Sequence, residues 1–263
     1  GGHASHFVRV SDEDELREAV AYGEEHRLPL VVLGGGSNVV VRERGVDALV
    51  LSPQFVDVSY AQGEDHTVTV TAGAGVVLDA LVRETVERGL WGLENLSHIP
   101  GSVGAVPIQN VGAYVVEAKD VVVSVTAYDM LLHARVTLSR EECQFDYRTS
   151  FFKSEEGKRF IITHVTFSLS SLPQPRISYK DLASRFQDLS AITQHAVRDA
   201  VIAIRSQKFP DWHTVGTAGS FFKNPIIEEE AFTVLKERYP GIPGFPHRGK
   251  VKVSLGWILD HVL

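Results

Sequence analysis

The sequence predicts an α+β fold, and three observations carry that reading. Segments with strand and helix periodicity are mixed, without the regular strand–helix alternation of a doubly wound sheet. Hydrophobic residues make up 44% and charged residues 22% of a 263-residue chain, the composition of a globular protein with a substantial core. Two glycine-rich stretches, "VVLGGGSNVVV" (31–41) and "HIPGSVGAVPIQNVGAY" (98–114), interrupt the periodic segments.

Each element has its own warrant. "HFVRV" (6–10) alternates as a strand does. Residues 11–27 read as a helix, with Ser11 the expected N-cap, Asp14 three residues on and acidic residues filling the first turn. "LPLVVLG" (28–34) is expected to be a short buried strand stopped by glycine, and "SNVVVRERG" (37–45) is β-prone. "HTVTVTA" (66–72) alternates strictly, as a half-buried strand does. In "VVLDALVRETVERG" (76–89), Leu78, Leu81 and Val82 share one helical face and Gly89 closes the C-terminus. Residues 120–129 and 133–139 read as paired strands and 158–170 as another long one. Residues 193–208 form an amphipathic helix capped by Thr193, and 226–240 a shorter one ended by Pro240.

Bulk properties narrow the function. A formal net charge of −7 weighs against non-specific nucleic-acid binding. The single cysteine, Cys143, permits no intrachain disulfide, which suits a reducing cytoplasm, and it reads as a small buried filler. No apolar run reaches the length of a membrane span and no signal peptide opens the chain. The start, "GGHASHFVRV", has no methionine, so the chain is expected to begin inside a longer protein.

The glycine stretches carry the chemistry. Gly34, Gly35 and Gly36 are contiguous and a β-prone segment follows, so they do not form the spaced, helix-opening fingerprint of a dinucleotide fold. They can still expose consecutive backbone N–H groups as an anion nest, with Ser37 and Asn38 adding donors, or simply make a tight turn. The second stretch holds Gly101, Gly104 and Gly112 and almost no charge. Such a chain suits a large ligand, part apolar and part hydrogen-bonding, to which Gln109 and Asn110 offer amides. A flavin has that character.

Five stretches in order, "LGGGSNVVV", "GLENLSHIPGSVGAVPIQNVGAY", "FDYRTSFFK", "SYKDL" and "TAGSFFKNP", resemble the UDP-N-acetylenolpyruvoylglucosamine reductase family. The resemblance implies a two-part FAD-binding domain of the vanillyl-alcohol-oxidase type, residues 1–53 and 54–208, followed by a smaller, partial α+β substrate domain, 209–263. It implies FAD as cofactor, its pyrophosphate cradled by Gly34 to Asn38 and the rest met by Ile99, Pro100, Gly101, Gly104, Gln109, Asn110 and Gly112. NADPH is the implied co-substrate. The implied reaction delivers hydride to the enolpyruvyl ether of a UDP-sugar and completes a peptidoglycan precursor. Arg148 would answer the charge growing on the enolate, and Ser220 would donate the final proton, with Lys208 a candidate to stabilise its alkoxide. Tyr114, Tyr147, Tyr179, Lys208 and Asn224 are expected to hold the substrate. A soluble cytoplasmic monomer without metal, membrane or nucleic-acid partner is expected.

The chain also departs from the pattern. The family continues beyond "GWILDHVL" to a catalytic glutamate that has no position here, lacks nothing of the Asn-Thr-Phe segment missing before these glycines, and often has Asp-Gln where this chain has Asp260-His261. The expectation is therefore an incomplete C-terminus. Two other readings stay open on the sequence: another flavin oxidoreductase on the same fold, and an inactive FAD-binding fragment.

Overall fold

A computed structural model of the chain describes residues 2–188, 192–211, 214–216 and 222–262. It divides into two compact units, Gly1–Thr217 and Ala218–Leu263. The first unit opens with strand β1 (Ala4–Val10), helix α1 (Glu13–Glu25) and strand β2 (Leu30–Val32). Strand β3 (Val46–Pro53) then inserts between β1 and β2 and runs parallel to both. Helix α1 is the crossover that parallel pairing requires. It buries Leu16, Ala19 and Val20 against Val10, Leu51 and Phe55.

Three expectations for this region are corrected. The N-cap of α1 is Asp12, not Ser11: Asp12 Oδ1 accepts the Glu15 N–H at 2.8 Å, while Ser11 donates its own N–H and hydroxyl to the Glu15 carboxylate. Strand β2 is an edge, not a buried strand, because among the described residues only β3 pairs with it, and Val31 and Val32 are exposed. Residues 37–45 form no strand, since no neighbouring ladder stands beside them among the described residues, and Val39, Val40 and Val41 are exposed.

A five-stranded antiparallel sheet follows, built from β4 (Val58–Gln62), β5 (Thr67–Gly73), β8 (Val122–Asp129), β9 (Ala134–Ser139) and β10 (Phe160–Ser170), in the order β4-β5-β10-β8-β9. Between β5 and β8 lie helix α2 (Leu78–Glu87) and a small hairpin of β6 (Gly112–Ala113) and β7 (Val116–Glu117). Period-2 alternation sends Val165, Phe167 and Leu169 of β10 into the main core, where Leu78, Leu81 and Val82 of α2 meet them. Truncating any of these leucines to alanine costs about 2–5 kcal/mol. Gly89 follows the end of α2 with φ +74°, the left-handed conformation glycine favours. Cys143 is fully buried in this core, and burial pushes its thiol up to about 12.

Helices α3 (Lys180–Ala183) and α4 (Gln194–Lys208) complete the unit. Thr193 caps α4 by accepting the Ala196 N–H, and Val197, Val201 and Ile204 pack with Trp91 and Leu182. The second unit holds β11 (Ile226–Ile227), α5 (Glu229–Arg238), β12 (Gly244–His247), β13 (Lys250–Val253) and α6 (Leu255–His261), with sheet order β11-β13-β12. Among the described residues, no helix is long and apolar enough to cross a membrane.

Candidate functional site

The chain leaving β2 enters the first glycine stretch while still tied to β3, through the Leu33 N–H on the Leu51 carbonyl. There it meets the second stretch directly. A Cβ added at Gly34 would fall 2.4 Å from Ser102 Oγ, and one at Gly35 would fall 3.2 Å from Gly101 Cα. Gly101, at φ +115°, would in turn place a Cβ 3.1 Å from Ser37 Oγ. Asn38 donates its side-chain amide to Gln109 Oε1 at 2.9 Å. The two stretches, far apart in sequence, thus interlock. Gly34 is a glycine because the Ser102 side chain lies against it, and Gly35 because the Gly101 backbone does; Gly36 is one for another reason, its φ of +69° with nothing within 4 Å of an added Cβ.

The second stretch is fastened on its far side. The Leu78 N–H donates to the Gly101 carbonyl, and the Val103 and Gly104 N–H groups donate to Val76 and Ala74. His98, at φ +59°, donates its N–H to Asp79 Oδ1 at 2.6 Å and receives Arg205 Nε on its carbonyl at 3.0 Å. Arg198 forks onto both Asp79 oxygens at 2.7 and 3.0 Å. Burial works to raise the Asp79 carboxyl, but the Arg198 fork and the His98 N–H win and hold it below the usual carboxylate range.

Arg148 sits in a tight turn closed by paired backbone hydrogen bonds between Asp146 and Thr149. Its φ is +53°, where turns ordinarily place glycine or asparagine. From there Nη2 donates to the Gly112 carbonyl at 2.7 Å, tying the turn to the β6–β7 hairpin. The corner of that hairpin is Tyr114 and Val115, both left-handed at φ +49° and +66°. Tyr114 packs edge-on against Tyr179 at 5.2 Å, and Lys208 Nζ lies 5.9 Å from the Tyr179 ring centroid. Lys208 is ion-paired with Asp181, which raises its ammonium above the usual lysine value. Five non-glycine residues of these segments, His98, Asn110, Tyr114, Val115 and Arg148, hold positive φ. Strain of about 1–3 kcal/mol per residue is characteristic of ligand clamps and active sites.

Comparison with known proteins decides the family. The FAD binding domain family matches residues 4–131. The UDP-N-acetylenolpyruvoylglucosamine reductase of Neisseria gonorrhoeae is 43% identical over 258 residues, covering 97% of this chain and 74% of that protein. The enzyme of the same name from Ralstonia nicotianae is also 43% identical, covering 98% and 77%. This chain belongs to the UDP-N-acetylenolpyruvoylglucosamine reductase family. The crystal structure of the Thermus caldophilus reductase aligns with a TM-score of 0.58 at 26% identity, over 94% of this chain and 79% of that one. The family fold is the two-part FAD-binding domain of the vanillyl-alcohol-oxidase type, and the cofactor is FAD.

Parts of the two glycine stretches lie open to such a cofactor. Gly34, Gly35 and Gly36 are solvent-exposed backbone with no side chain in the way, and Ile99, Pro100 and Gly101 stand half-exposed beside them. Asn110 does not keep its amide for a ligand. Its side chain is fully buried, its two N–H bonds go to Glu117 and the Asp146 carbonyl, and its oxygen accepts the Lys119 N–H. Gly104 and Gly112 are explained by close packing on Ala74 and on the opposite hairpin strand. Asn224 belongs to the second unit, where its Oδ1 accepts the Leu255 N–H at 3.0 Å. Ser220 lies outside the described residues.

Sequence reasoning missed Asp79, Arg198 and Glu94. Asp79 and Arg198 belong to no glycine motif, but Arg198 and Arg205 are seven residues apart, beside the apolar stripe of α4. Glu94 is 1% exposed, with Oε2 accepting the Gly92 N–H at 2.6 Å and Oε1 without a hydrogen-bond partner among the described residues. Burial pushes its carboxyl above the usual range despite the backbone N–H groups and Arg176. An acidic residue inside "WGLENLSHIPG" is the signal that marks it.

Proposed function

We propose that this chain reduces the enolpyruvyl ether of UDP-N-acetylglucosamine enolpyruvate to UDP-N-acetylmuramate with NADPH and FAD, completing a peptidoglycan precursor. The observation that carries the reading is the interlock of Gly34 and Gly35 with Gly101 and Ser102, in a family whose members reach 40–44% identity. That identity favours this reductase over another flavin oxidoreductase on the same fold. Residues 1–53 and 54–208 act as the two parts of the FAD domain and 209–263 as part of the substrate domain.

When bound, FAD supplies the means of passing hydride from NADPH to the substrate. Gly34, Gly35, Gly36, Ser37 and Asn38 hold the pyrophosphate with backbone N–H groups and short side chains. Ile99, Pro100 and Gly101 meet the rest of the cofactor, and Gln109 buttresses the cradle through Asn38. Asn110, Gly104 and Gly112 serve it through backbone shape. Arg148 meets the substrate carboxylate: a guanidinium cannot lose its proton, and its charge stabilises the enolate as negative charge moves onto the carboxylate. Ser220 gives the proton that ends the reaction at C2. Tyr114, Tyr147, Tyr179, Lys208 and Asn224 hold the nucleotide sugar, Lys208 as a cation beside the edge-on pair of Tyr114 and Tyr179. The enzyme works as a cytoplasmic monomer, where NADPH and nucleotide sugars are found.

The test is spectroscopic. Purified protein should carry the visible absorbance of a flavin, bleach with NADPH, and recover colour only when the enolpyruvyl substrate is added under anaerobic conditions. Protein that binds no flavin, or that recovers its colour equally with other oxidised substrates, refutes the assignment.

A further inference from the structure

The second glycine stretch is held from α2 and α4 by Asp79, Arg198 and Arg205, side chains that no part of the proposed reaction uses. Both polar groups of the His98 backbone are taken by side chains: its N–H by Asp79 at the start of α2, its carbonyl by Arg205 in the last turn of α4. Arg198, one helical face back along α4, completes a two-pronged bond to the same Asp79. The Arg198 side chain is 11% exposed and that of Asp79 30%, so water competes weakly for the pair. His98 is left-handed, and three residues later Gly101 lies against Gly35. A left-handed peptide gripped at both ends is a fixed pivot, and the direction in which Ile99, Pro100 and Gly101 leave it is set there.

We propose that Asp79 and Arg198, with Arg205, are positioning residues that set the second glycine stretch in register with the first and so govern FAD affinity from outside the cofactor site; this rests on the FAD reading of the two stretches. The clamp is assembled from parts 119 residues apart in sequence, Asp79 and Arg198. Its chemistry is separable. Asp79→Asn keeps an oxygen for the His98 N–H and loses the charged fork. Arg198→Met loses the fork alone. Asp79→Ala loses both.

The experiment titrates apoprotein of the full chain with FAD, following the quenching of flavin fluorescence, and melts each apoprotein separately. Hydrogen bonds to charged groups of this kind predict about 10-fold weaker FAD binding for Arg198→Met and for Asp79→Asn, and about 100-fold for Asp79→Ala. The double variant Arg198→Met/Asp79→Asn should bind no more weakly than either single one, since both remove the same fork. A pair that merely stabilised the fold would lower the melting temperature and leave the FAD affinity of the folded apoprotein unchanged; that result overturns the proposal. Should Asp79→Ala fail to fold, Asp79→Asn and Arg198→Met decide the matter. If wild-type protein binds no FAD, the reading beneath the proposal falls and the proposal with it; if wild type binds and every folded variant binds equally, the proposal alone falls.

Discussion

Replacing Gly34 by alanine isolates the interlock of the two glycine stretches. The φ of Gly34 lies outside the left-handed region, so alanine is not barred by backbone strain. What bars it is contact. The new Cβ would stand 2.4 Å from Ser102 Oγ, about 1 Å inside the separation at which non-bonded heavy atoms sit comfortably. Ser102 is buried, and its backbone is bridged to Val77 and accepts the Ala105 N–H, so it has little freedom to withdraw. The stretches must therefore part, and FAD affinity should fall about 10- to 100-fold, or about 1.4–2.7 kcal/mol. Deleting the offending hydroxyl offers the cure. The next nearest atom, Ser102 Cβ, lies at 3.6 Å, an ordinary contact, so Gly34→Ala/Ser102→Ala should recover most of the loss. The assay is an FAD titration of four apoproteins, wild type, both single variants and the double, with an expected coupling of about 1–2 kcal/mol. A double variant as weak as Gly34→Ala would show that the glycine answers to something other than Ser102 and refute the reasoning.

Arg148→Ala should slow substrate reduction about 100- to 1,000-fold while bleaching of the flavin by NADPH keeps its rate; equal loss in both half-reactions, followed by rapid mixing, would instead assign Arg148 to holding the Gly112 carbonyl. Ser220→Ala should leave bleaching intact and abolish substrate-dependent recovery of colour, with partial return in Ser220→Cys; full-speed recovery in Ser220→Ala would remove it from proton delivery. Glu94→Gln should raise the melting temperature at pH 8 by about 2–4 °C for each kcal/mol recovered, and give no gain near pH 4. The sign follows from the raised carboxyl: its favourable contribution is complete below the usual glutamate range and is lost as pH rises through the folded-state value. An equal effect at both pH values in a thermal melt would contradict it.

Much of the antiparallel sheet was legible: β5 and β10 alternate with one face in the core, and β8, though buried without a break from Val125 to Asp129, and β9 stand where their β-branched runs put them. Strand β3 was not, since Ala48 to Pro53 are all buried and a run without period gives no phase to read. Residues 37–45 misled in the opposite way, being rich in valine but lacking a partner strand. At the site, the glycines announced that backbone mattered, but not that the two stretches would touch one another. The reason a glycine is needed at 35 is Gly101, and no local pattern encodes a neighbour so distant in sequence. The engagement of Asn110 in a buried network was hidden for the same cause: its partners are Glu117, Lys119 and Asp146.

The fastening of His98 has a consequence for how the protein is made. Asp79 and Arg198 are separated by 119 residues, which a ribosome takes roughly 6–24 s to add. The second glycine stretch is itself made within that interval, so for its later part both stretches exist while the helix that carries Arg198 and Arg205 does not. The nascent chain thus carries the surfaces that meet the cofactor before it carries the means of holding them in register. On the proposed role of the clamp, stable capture of FAD belongs to the period after α4 has left the ribosome.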